Sequence, residues 1–155
     1  MKFFTLILLT FLLFTSKTGL KLELTIGDYY DDHSRRKYNY SKRKWKIEDE
    51  KLIYHHIDTR TENYADTIGL SKKQLDTLMQ IIELQNLKEN IIISYDDNRT
   101  HKHMRYKKEV KGKLYLNNEE YDYQIKSNSI EIEKHEKYKN LEALEQYFYE
   151  LAEKK

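Results

Sequence analysis

The chain has 155 residues, with 28 Lys and Arg against 26 Asp and Glu, and no Cys. The missing Cys excludes disulfides, thiol nucleophiles, Cys-ligated metals and thiol redox motifs. The formal charge of +2 misleads, because Lys2 and Lys17 belong to an N-terminal leader; without them bases and acids balance, which argues against a globally basic nucleic-acid binder.

The leader comes first in the chain. Met1-Lys2 supplies a short positive start, and Phe3 to Phe14 is an apolar run softened only by Thr5 and Thr10. Such a run is too short for the ~20 residues that span a bilayer, and it fits the apolar segment of a signal peptide. Ser16, Thr18 and Gly19 then offer small residues, although neither Thr18 nor Gly19 completes a clean cleavage pattern. The expectation is a signal peptide over 1–18, with an uncleaved anchor as the alternative, and a secreted or periplasmic protein. Residues 19–155 are expected to form a single α+β domain, of a size that folds without covalent staples.

Leu20, Leu22, Leu24 and Ile26 alternate with polar residues, the signature of a half-buried strand. Asp31-Asp32-His33-Ser34 reads as a polar break. Trp45 and Ile47 share a face, Glu48-Asp49-Glu50-Lys51 reads as a hairpin loop, and Leu52 to Ile57 as a central strand. Ser71-Lys-Lys-Gln74 is a capping box ahead of Leu75, Leu78, Met79, Ile82 and Leu87, with Leu70 placed to staple onto Leu75. Asn90 to Tyr95 is strand-like, and Asp96-Asp97-Asn98 signals a turn. Val110, Gly112, Leu114 and Leu116 alternate, Asn117-Asn118 turns the chain, and Tyr121, Tyr123 and Ile125 answer on the return. Ser127-Asn128-Ser129 shifts the register, which predicts a bulge or a further hairpin. Asn140 is the expected cap of a closing helix with Leu141, Leu144, Phe148 and Leu151 on one face. Strands, helix, strands, helix predicts an α+β fold: a mainly antiparallel sheet with two helices packed on one face.

Charge is unevenly spread. Residues 33–46 carry Arg35, Arg36, Lys37, Lys42, Arg43, Lys44 and Lys46 with no acid, and residues 99–113 carry seven bases against Glu109 alone. Both segments interleave aromatic residues. The candidate binding residues are therefore Arg35, Arg36, Tyr38, Tyr40, Lys42, Arg43, Lys44, Trp45, Lys102, Arg105, Tyr106 and Lys108. Cations beside rings suit anionic partners. For an exported protein these are an envelope polymer, a lipid surface or an acidic protein.

Catalytic signals are sparse. His101 and His103 would share a face on a strand, a weak metal pair set in a positive field that opposes cation binding. His55 and His56 are adjacent, so a strand sends them to opposite faces. No Gly-rich phosphate loop, nucleophile elbow or H-E-x-x-H occurs. The reading is a non-enzymatic, cofactor-free interaction module, with a metal-independent hydrolase using a histidine base as the alternative. A cleft enclosing two histidines beside a carboxylate would favour the enzyme, and a flat cationic sheet face the binder.

Overall fold

The computed structural model describes residues 19–32, 37–95 and 104–153, without the side chains of 32, 37, 38, 104 and 105. The leader, the end of the expected polar break at His33-Ser34 and the Asp96-Asp97-Asn98 turn lie outside them. Seven strands form one sheet: β1 (Lys21–Asp32), β2 (Lys37–Glu48), β3 (Lys51–Asp58), β4 (Tyr64–Gly69), β5 (Ile91–Tyr95), β6 (Met104–Leu116) and β7 (Glu119–Ser127). The helices are α1 (Lys72–Leu84) and α2 (Glu136–Glu153), preceded by a short 3-10 helix (Ile130–Lys134). The fold is mixed α+β with a mostly antiparallel sheet in the order β4-β3-β2-β1-β6-β7-β5. The parallel pair is β5 with β7 at one edge. No helix among the described residues is long and apolar enough to cross a membrane.

Period-2 alternation divides the sheet into two faces. The inner face carries Leu22, Leu24 and Ile26 of β1, Trp45 and Ile47 of β2, Leu52 and Tyr54 of β3, and Val110 and Leu114 of β6. α2 lies against it, with the Phe148 ring 5.5 Å from Trp45. Leu75, Leu78 and Ile82 of α1 join the same buried cluster, and the Tyr147 hydroxyl of α2 donates to the Gln74 carbonyl of α1 at 3.0 Å. Ser71 caps α1, its Oγ accepting from the Gln74 amide while the Gln74 side chain accepts from the Ser71 amide. Leu70 is buried beside them.

Two hairpins turn through left-handed residue pairs. Asp49 and Glu50 have φ of 50° and 58°, and Asn117 and Asn118 have 53° and 67°. This geometry matches the twist of the flanking strands, and Asn tolerates it better than Glu does. Gly112 is required for a different reason. A Cβ there would stand 2.6 Å from the Glu23 carbonyl oxygen and 3.0 Å from Leu24 Cδ1.

Several expectations need correction. β1 does not break at Asp31-Asp32, since Asp32 still pairs with Lys37 and Met104. β4, an exposed edge strand, carried no clean alternation and was not expected. Ser127-Asn128-Ser129 leads into the 3-10 helix and forms neither a bulge nor a hairpin, because Ser129 caps that helix through its side chain. Asn140 lies inside α2. His135 starts that helix, its Nδ1 accepting from the Lys137 amide at 3.2 Å.

Candidate binding face of the sheet

β1 is flanked by β2 on one side and β6 on the other, so the described parts of the two acid-poor segments, 37–46 and 104–113, meet across it. On the outer face the rows are set by the strand register. Thr25 pairs with Lys44 and with Lys111, and Gly27 pairs with Lys42 and with Glu109. The same rows continue to His55 beside Lys44 on β3, and to Gln124 and Lys126 on β7. The next row towards the Asp49-Glu50 turn is neutralised. Lys46 reaches Glu48 at 2.7 Å and Glu23 at 3.8 Å, and Lys113 pairs with Glu120 and, at 3.5 Å, with Asp122. Among the described residues Lys42, Lys44, Lys111 and Lys126 make no such pair. Towards the other end, Tyr29 and Tyr40 pack with ring centroids 4.7 Å apart, and Lys107 lies over the Tyr29 ring at 5.3 Å.

Two shallow hollows open on this face. The first, about 270 Å³, lies over Trp45 between Thr25, Lys44, Lys46, Ile53 and His55. The second, about 360 Å³, lies over Gly112 between Thr25, Lys111, Lys113, Asp122 and Gln124. Glu23 lines both.

The structure does not bring all the expected residues together. Tyr40, Lys42 and Lys44 stand on the outer face. Arg43, Trp45, Tyr106 and Lys108 stand on the inner one, because neighbours along a strand point to opposite sides. A continuous basic run on a strand therefore cannot present every cation to one partner. Arg35, Arg36 and Lys102 lie outside the described residues, and of Tyr38 and Arg105 only the backbone is described. His101 and His103 also lie outside; among the described residues no group of three or more His, Asp or Glu could hold a metal ion.

The inward cations build a ladder of alternating charge, buried at Lys108 and Glu145 and partly exposed at Asp28 and Glu133. Arg43 Nε donates to Glu145 Oε1 at 2.7 Å, and Arg43 Nη1 lies 2.8 Å from Asp28 Oδ2. Asp28 Oδ1 lies 3.1 Å from Lys108 Nζ, which also reaches Glu133 at 2.8 Å and the Tyr138 hydroxyl at 2.7 Å. The Trp45 indole N–H donates to Glu145 at 3.1 Å, and the Tyr106 hydroxyl donates to Glu133 at 3.0 Å. Burial opposes the charge on Arg43, but Glu145 and Asp28 outweigh it and hold the guanidinium above its ordinary range. Burial also opposes Lys108, whose bonds to Glu133 and Tyr138 and whose attraction to Asp28 prevail in the same way. Burial pushes the Tyr106 phenol up.

A second polar group borders this ladder. Ser41 Oγ lies 3.3 Å from His56 Nε2, and Asp58 Oδ2 lies 4.0 Å from that same nitrogen. A relay that activates a serine needs the carboxylate on the opposite ring nitrogen. Asp58 is instead held by Arg60, whose Nε and Nη2 donate at 3.0 and 2.8 Å and hold its carboxyl down at about 2. Burial and the charge of Arg43 lower His56. His55, its neighbour, points to the other face.

Sequence reasoning missed Thr25, Lys111 and Lys126 on the outer face and Asp28, Glu133 and Glu145 on the inner. Asp28 continues the Leu22, Leu24, Ile26 row, and Glu145 sits within the Leu141, Leu144, Phe148 stripe. Acids at core positions demand buried cations, and Arg43 and Lys108 have the matching parity on their own strands. No protein-family model and no curated protein sequence matches the chain.

Proposed function

We propose that the chain is an exported, non-enzymatic binding module that engages an anionic partner through the outer face of its sheet. On this reading both helices pack on the inner face, so no helix among the described residues covers the outer one. The observation that carries it is the juxtaposition of Lys42 and Lys44 with Lys111 across β1, with no ion pair on any of the three among the described residues. Cations already neutralised by neighbours add little attraction, whereas uncompensated ones on one face sum their fields. The outer-face patch is shallow and broad, which suits a surface or an extended chain better than an enclosed small molecule.

The reading is tested by retention on a heparin resin. Lys42→Glu, Lys44→Glu and Lys111→Glu together should abolish retention at ~0.15 M salt, where screening acts over ~8 Å. Lys72→Glu with Lys73→Glu is the control. Those lysines lie at the start of α1, where acids favour the helix, and the change should leave retention nearly intact. Equal losses from both sets would show attraction to overall charge and no binding face. Export is tested separately. The secreted form should lack roughly the first 18 residues by N-terminal sequencing, and an intact Met1 recovered from the cytosol would contradict it.

A further inference from the structure

Resting on that reading, we infer that the outer face seats a linear phosphate polymer without nucleobases, crossing β1 at Thr25 with one anionic group in each hollow. The hollows lie over Trp45 and Gly112, and both of these residues pair with Leu24. They are therefore two strand spacings apart, about 10 Å. Each contains one lysine without an ion pair among the described residues, Lys44 in the first and Lys111 in the second, and both pair with Thr25 in register. Thr25 lines both hollows and rises between them as a low bridge with a hydroxyl that can donate.

The cation chemistry points to phosphate. On the outer face the cations whose side chains are described are all lysines, so neither a carboxylate nor a phosphate meets a guanidinium fork there. Lysine acts as a point charge and suits a phosphate, whose oxygens spread in several directions. The rings argue against bases. Tyr29 and Tyr40 pack on each other two rows away, and Lys107 lies over one of them. Beside Thr25, Ile53 and Gln124, the one outer-face ring in the hollow walls is His55 in the first, so successive bases would lack a run of rings to stack on. Glu23, in the wall of both hollows, lies 3.8 Å from Lys46, and Asp122 lies 3.5 Å from Lys113, which offsets their repulsion of an incoming anion.

The test separates seating in the hollows from simple attraction to the face. Inorganic polyphosphate is titrated against the wild type, against Thr25→Phe, and against Lys44→Gln with Lys111→Gln. Thr25→Phe fills both hollows while keeping every charge, and aromatic residues suit strands. Polyphosphate affinity should fall at least tenfold in both variants, orthophosphate should show no saturable binding, and oligothymidylate of equal charge should bind more weakly than polyphosphate. If Thr25→Phe binds within twofold of wild type while the lysine variant weakens, the hollows are unused and this inference fails, but the binding face survives. If neither variant weakens binding, the face itself is wrong. Tighter binding of oligothymidylate overturns the assignment to a chain without bases. Should Thr25→Phe lose its cooperative melt, Ile53→Trp in the wall of the first hollow carries the same comparison.

Discussion

Arg43→Met removes the cation that stands between Asp28 and Glu145. The Glu145 side chain is 7% exposed and the Asp28 side chain 26%, so Glu145 gains little solvent when Arg43 leaves and Asp28 is only partly hydrated. Deleting one member of a buried ion pair costs about 3–5 kcal/mol, most of it the desolvation of the partner left behind. Here the loss should fall at the low end, about 3 kcal/mol. Asp28 retains Lys108 at 3.1 Å, and Glu145 retains the Trp45 indole N–H at 3.1 Å. For a domain of this size that lowers Tm by on the order of 10 °C. The double variant Arg43→Met with Glu145→Leu removes both charges and should recover at least about 1 kcal/mol relative to the sum of the single losses. Equilibrium urea denaturation of the four proteins measures the cycle. A single-variant loss below about 1 kcal/mol with no coupling, as exposed pairs show, would refute the claim that this pair is buried and coupled.

Leu78→Ala, at a fully buried site of α1, should destabilise by about 2–5 kcal/mol in the same assay; a loss near 0.5 kcal/mol would misplace the helix face. Gly112→Ala should cost about 1–3 kcal/mol, because the new Cβ meets a backbone oxygen that cannot rotate away; a neutral or stabilising result would contradict the close approach of β1 and β6. Asp58 contributes stability that is full above its ordinary pKa near 3.8 and is lost as pH falls towards about 2, because its folded-state pKa is depressed. Asp58→Asn should therefore flatten the pH dependence of stability between those limits, and an unchanged acid limb would show that the Arg60 contact does not persist in solution.

Where local periodicity was clean, the sequence was enough. The Leu22–Leu24–Ile26 alternation, the Ser71 capping box and the Asn117-Asn118 turn each name their element through interactions made within a few residues. Tyr64–Gly69 failed this test because an exposed edge strand buries little and needs no alternation. The proposed binding face was legible as charge but misread as geometry. The described parts of the two basic segments, 37–46 and 104–113, do flank β1, yet the pleat sends Arg43, Tyr106 and Lys108 inward with Trp45. The corrective signal was present: Trp45 belongs to the same parity class as Ile47, so Arg43 does too. What no local pattern could show is that β6 lies beside β1, a pairing of strands some 80 residues apart in sequence that only the assembled sheet supplies.

The most direct test of the account is an amide chemical-shift titration of ¹⁵N-labelled protein with inorganic polyphosphate at near-physiological salt. Shifts should concentrate at Thr25, Lys42, Lys44 and Lys111, saturate together, and leave Lys72 and Lys73 of α1 unmoved. Shifts spread evenly over exposed lysines, or centred on the inner-face residues Ser41, His56 and Asp58, would contradict a binding face on the outer side of the sheet.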